Sequence, residues 1–105
     1  MEFVDDVAKS FIAGALKAPE GTPSFNMLGH VVAVAEMIMV IEEMFPFSKG
    51  KITHLARRVN MANLVSDSGL QKLIGPFQPI QFRDGARLTA DFFRKLLREK
   101  KLRVA

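Results

Sequence analysis

The groups in this chain that could do chemistry are few, and they fall at six places. Asp5 and Asp6 stand side by side near the N-terminus and could form a carboxylate pair for acid–base work. Both also sit where a helix is expected to begin, so capping and a favourable charge at the positive end of the dipole are the better reading. Glu42 and Glu43 are adjacent; on a helix they diverge by about 100° and make no dyad. His30 and His54 are the sole histidines, with no His-x-x-x-His or Glu-x-x-His spacing to build a metal site. Arg57-Arg58 could clamp a phosphate with paired guanidinium donors, or could be a solvated surface pair, which is the better bet. Asn26, between a short extended run and Gly29, could bond a ligand or its own turn backbone. There is no cysteine, hence no thiolate nucleophile, disulfide framework or thiolate metal site.

The 105 residues suffice for one small domain, and 49% of them are apolar, which excludes a disordered polymer. The longest apolar stretch, Val31 to Ile41, is broken by Glu36 and too short to span a bilayer. A soluble cytoplasmic protein is the expectation. Charge is uneven. Residues 1–50 carry seven acids against three lysines, net −4, and residues 51–105 carry twelve bases against four acids, net +8. That asymmetry suits either two mutually attracting faces of one domain or an anion-binding half. The bases do not interleave with stacking aromatics as they do in ribonucleoprotein motifs, which favours the first.

The elements that must position these groups follow from periodicity. Residues 5–17 read as a mostly buried helix with Val7, Phe11 and Ala15 on one face and Val4, Ala8, Ile12 and Leu16 beside it. Residues 22–28 and 51–55 read as two short strands, the first entered through Pro23. A second helix covers 33–45 and stops at Pro46; a short one runs from a Ser66-Asp67-Ser68 cap to Gly75-Pro76. Residues 56–65 are ambiguous between loop and helical turn. Residues 77–82 form an extended connection, and a last helix spans 84–101 with basic residues crowding its end. Its Phe92-Phe93-Arg94-Lys95-Leu96-Leu97-Arg98 run resembles a basic amphipathic helix for membranes or partners. The expected fold is α+β: about four helices with two short strands.

The order of motifs is specific as a conjunction. Val4-Asp5-Asp6-Val7-Ala8 opens a helix; Pro-Glu-Gly-Thr-Pro-Ser-Phe-Asn follows at 19–26, then Gly29; Val31-Val32-Ala33-Val34-Ala35-Glu36 opens a second helix that ends in Ile41-Glu42-Glu43. Ser66-Asp67-Ser68-Gly69-Leu70, Leu73-Ile74-Gly75-Pro76 and Gly85-Ala86-Arg87-Leu88-Thr89-Ala90-Asp91-Phe92-Phe93 complete the series. Over almost its whole length the chain resembles the C-terminal, substrate-side region of the NAD-dependent epimerase/dehydratase family, the extended short-chain dehydrogenase/reductases. The resemblance implies a domain that packs on a Rossmann nucleotide-binding half, with the loop at Asn26 near the substrate cleft and the last helix's apolar face as ordinary core. Asn26, Arg57 and Arg58 are therefore the candidate substrate contacts. It also implies that a strand fed by the nucleotide-binding half runs into Phe3, so that this end of the chain is a seam.

Departures from the family pattern bound the function. The Gly-x-x-Gly-x-x-Gly turn that holds the dinucleotide is missing: the seven glycines lie at 14, 21, 29, 50, 69, 75 and 85. The catalytic Tyr-x-x-x-Lys pair is missing too, because the chain has no tyrosine. Ala33 replaces the usual Ser or Thr cap three residues before Glu36, a loss of about 1 kcal/mol. The 56–65 segment, acidic and proline-bearing in many relatives, is basic here. The expected chain is thus inactive alone and binds no cofactor, NAD(P) being implied only for a full-length relative. Expected partners are a second copy, as a dimer with exchanged elements, or a Rossmann-domain chain. A membrane is not expected, and a nucleic acid is the least favoured partner.

Overall fold

A computed structural model describes residues 1–17, 19–57 and 65–103. Four α-helices occur: α1 (Val4–Lys17), α2 (Val34–Met44), α3 (Ser68–Ile74) and α4 (Phe82–Arg98), with a 3₁₀ turn at Pro46–Ser48 after α2. The described residues contain no strand, so the expected α+β class is wrong and the fold is all-helical. The reason is the lack of a neighbour. A strand exists through its ladder, and among the described residues the 22–28 segment finds a single rung, beyond its end: Met1 and His30 exchange both backbone bonds, Met1 N to His30 O at 2.7 Å and His30 N to Met1 O at 2.9 Å. At 51–55 the backbone finds a turn instead, Lys51 N donating to Ser48 O, and its side chains are exposed.

The chain divides into two compact units, Met1–Val32 with Leu55–Ile80, and Ala33–His54 with Gln81–Ala105. In the first unit α1 packs on α3. Leu70 of α3 is buried, 7% exposed, and is the sole large apolar side chain to reach that state among the described residues. Gly69 passes under Phe25, whose ring leaves 3.3 Å for a Cβ at that position. The expected burial of α1 does not occur: Val4, Phe11, Ile12 and Leu16 are all exposed, and the helix's buried residue is Asp6. An apolar stripe marks which face could be covered; it does not supply the cover.

Asp5 and Asp6 do lie in the first turn of α1, where their charge suits the dipole. Asp6 is not used as a cap, however. Its Oδ2 accepts from Ile80 N at 2.8 Å, a bond between residues far apart in sequence. His30 Nε2 lies 3.3 Å from the Pro79 carbonyl oxygen, so two side chains hold the 79–80 backbone just before α4. Gly29 makes the Met1–His30 exchange possible, because a Cβ there would collide with the Met1 carbonyl. Replacing Gly29 with alanine is expected to undock residues 1–3. Amide exchange at His30 would rise toward the rate of an open chain, whereas unchanged protection would refute the account.

In the second unit α2 packs on α4, and the 3₁₀ turn folds back on α2 directly after it. α2 carries Glu36, Glu42 and Glu43 and no base, and α4 carries five bases against two acids. Arg83 pairs with Glu43, and the Arg94 guanidinium sits 5.0 Å from the centre of the Phe45 ring. Glu42 Oε1 accepts from Gly50 N at 2.7 Å, and Ser48 Oγ donates to Phe45 O at 2.7 Å, together pinning the turn that Pro46 begins. The second helix starts after an uncapped Ala33, as expected from the residue type.

α4 begins two residues before the expected start and stops three before the expected end. The stop is a Schellman closure: Lys101 N bonds Leu96 O at 2.9 Å and Lys100 N bonds Leu97 O at 3.1 Å, with Lys100 at φ 54°. A lysine in the left-handed region is strained relative to glycine. Lys100→Gly is expected to raise stability by about 0.5–1 kcal/mol in urea unfolding; a loss would show that Lys100 makes an ion contact that outweighs the strain.

Candidate functional site

In the first unit α1, the 19–27 segment and α3 line an open groove of about 650 Å³. Its apolar wall comes from Val7 and Phe11 of α1, Phe25 and Met27 of the extended segment, and Leu70 and Leu73 of α3. The i, i+4 spacing of Val7 and Phe11 places both on one helix face. Pro23, Phe25 and Met27 line the groove at every second residue, the period of an extended chain with one face turned inward. The strand-like pattern in the sequence is therefore real, and it serves a groove rather than a sheet. Glu2 is the single ionisable lining residue, with Ser10 and Thr22 adding hydroxyls. No histidine or lysine is among the lining residues to activate a hydroxyl, and the lining is mostly apolar.

The expected substrate contacts are not gathered here. Asn26 is exposed and does not line the groove, although its neighbours on both sides do. Arg57 is exposed and has no partner among the described residues. Arg58 and the rest of 58–64 lie outside the described residues. Reasoning from sequence missed Asp6 as a buried clamp, 5% exposed, because a carboxylate at a helix start has capping as its ordinary use. It also missed the Phe25–Met27 wall, for which the every-second-residue pattern was the available signal.

A dinucleotide does not fit these residues. Its pyrophosphate needs a helix N-terminus free of negative charge and a close glycine turn. α1 presents Asp5 and Asp6 in its first turn, α2 presents Glu36 and α4 presents Asp84. At α3, Asp67 stands at the cap position with its Oδ1 accepting from Gln71 Nε2 at 3.0 Å. Among the described residues no group of three or more His, Cys, Asp or Glu could hold a metal ion, and no helix is long and apolar enough to cross a membrane. No protein-family model, curated protein or solved structure matches the chain.

Proposed function

We propose that this chain is the C-terminal, substrate-side portion of a cytoplasmic NAD-dependent epimerase/dehydratase-like protein, inactive alone, and that the groove of its first unit seats the nucleotide-binding half. The observation that carries the reading is the bare apolar surface of α1. Phe11, Ile12 and Leu16 are 76%, 61% and 80% exposed, next to a groove walled by Phe25, Met27 and Leu73. Covering each of these three side chains would contribute about 1.5–3 kcal/mol. The order of motifs from Val4-Asp5-Asp6 to Phe92-Phe93 supports the identity of the missing cover. The acids in the helix first turns agree with a division of labour in which the dinucleotide belongs to the other half.

Calorimetric titration of the chain with NAD(H) tests the reading. No heat of binding is expected, and a sub-millimolar affinity would overturn it. A second reading rests on the same exposed face of α1, namely self-association as a protein-interaction module. Sedimentation velocity separates the two. A stable homodimer that is unaffected by any nucleotide-binding half favours the second; a chain that leaves its self-associated form to make a one-to-one complex with such a half favours the first.

A further inference from the structure

On α4 the charged and apolar residues are completely sorted. Arg83, Asp84, Arg87, Asp91, Arg94, Lys95 and Arg98 fall within an arc of about 120° around the helix axis. Phe82, Leu88, Phe92, Phe93, Leu96 and Leu97 occupy the remainder with Gly85, Ala86, Thr89 and Ala90. Despite this sorting the helix has little cover: Gly85 is its one buried residue, and Leu88, Phe92, Phe93 and Leu97 are 50%, 57%, 46% and 44% exposed. The cations are only partly used. Arg83 pairs with Glu43, Arg94 with Asp91 at 3.3 Å, and Lys95 and Lys101 share Glu99 at 3.9 and 2.7 Å. Arg87, Arg98, Lys100 and Arg103 have no partner among the described residues.

From this we infer that α4, with the basic tail behind it, lies in the interface of an anionic lipid surface, a binding that the sequence did not lead us to expect. The charge and the apolar residues point to the same occupant. A helix with phenylalanine and leucine on one face and arginine and lysine on the other sinks the first to the acyl boundary and holds the second at the headgroups. Long arginine and lysine side chains reach up from a partly sunken helix, so the two flanks of exposed apolar residues can be wetted by lipid while the charged arc stays in water. A second copy of α4 would bring two helices of like net charge together. A nucleic acid would use Arg87, Arg98, Lys100 and Arg103 and leave Phe92 and Leu88 in water. A lipid surface uses both sets. This inference stands on the second unit and does not depend on what covers the groove of the first.

The chain contains no tryptophan, so Phe92→Trp, at an exposed position, places a single reporter on the apolar arc. Its emission should shift to the blue with vesicles containing one third phosphatidylglycerol at about 0.1 M salt, and not with phosphatidylcholine alone. Arg87→Gln with Arg98→Gln, checked by circular dichroism for retained helix, should weaken binding to the anionic vesicles about 30-fold. Three results would overturn the inference: no shift on anionic vesicles, an equal shift on both kinds, or a lipid-free shift that grows with protein concentration and so reports a second copy. Tight binding to duplex DNA with an unshifted tryptophan, and without vesicle binding, would overturn it in favour of a nucleic acid.

Discussion

Leu70→Ala unfolds the first unit. The expected loss is about 2–4 kcal/mol, the range for removing three buried carbons whose site cannot fully collapse. Two features put this substitution among the most damaging available. Leu70 is the single buried apolar side chain among the described residues of its unit, and α3, at seven residues, is far too short to persist by propensity. Its helix is packed on α1, and Leu70 is its buried residue. Far-ultraviolet circular dichroism through a urea titration should show an early transition for the variant, with the amides of α3 and α1 losing protection together. An unchanged midpoint would show that the exposed residues of α1 and the 19–27 segment carry the unit without it. Leu73→Ala, at a half-buried groove position, should cost clearly less.

Asp6→Ala is expected to cost about 2–3 kcal/mol, since it deletes a buried charged acceptor and strands the Ile80 amide. The loss should be local as well as global. Ile80 N–H exchange should accelerate, and the 79–80 backbone should be left with the single His30 contact to the Pro79 carbonyl. Asp5→Ala, one residue away and exposed, is the control and should shift stability by under about 0.5 kcal/mol. Equal effects at the two positions would mean that the charge at the start of α1 matters and the bond to Ile80 does not.

The helices were legible because their signals are local. Pro46 stops α2, Gly75-Pro76 stops α3, and the apolar repeat through Leu88, Phe92 and Leu96 specifies α4 to within three residues at its end. The error at that end has a local cause as well, since Lys100 adopts the left-handed conformation that the eye reserves for glycine. What failed is what depends on neighbours. Pro23, Phe25 and Met27 alternate as a strand does, but a strand also needs an adjacent backbone, and the described residues form no ladder beyond the Met1–His30 exchange. The stripe Val4, Phe11, Ile12 and Leu16 identified the apolar side of α1 and was taken for core; those residues are exposed. Both failures share one cause: periodicity marks the face that could be covered and says nothing of what covers it. Of the candidate contacts, Asn26 is exposed on a polar position of an alternating segment, so its neighbours Phe25 and Met27, rather than Asn26, line the groove. The Arg57 guanidinium is left in solvent, where an isolated charge contributes little.

At the N-terminus the backbone is tied back within its own unit. Met1 already forms the closed pair of bonds that begins an antiparallel pairing with the segment ending at His30, and Phe3 carries the carbonyl that receives the Val7 amide at the start of α1. The most direct measurement of the central claim is the DNA sequence preceding the Met1 codon, translated in all three frames. The account predicts a Gly-x-x-Gly-x-x-Gly turn after a first strand and a Tyr-x-x-x-Lys pair in one frame, or split between frames by a shift, ending just before Phe3. An unrelated gene or non-coding sequence running up to an intact start site, with neither motif in any frame, would contradict it and leave self-association as the function of the exposed groove.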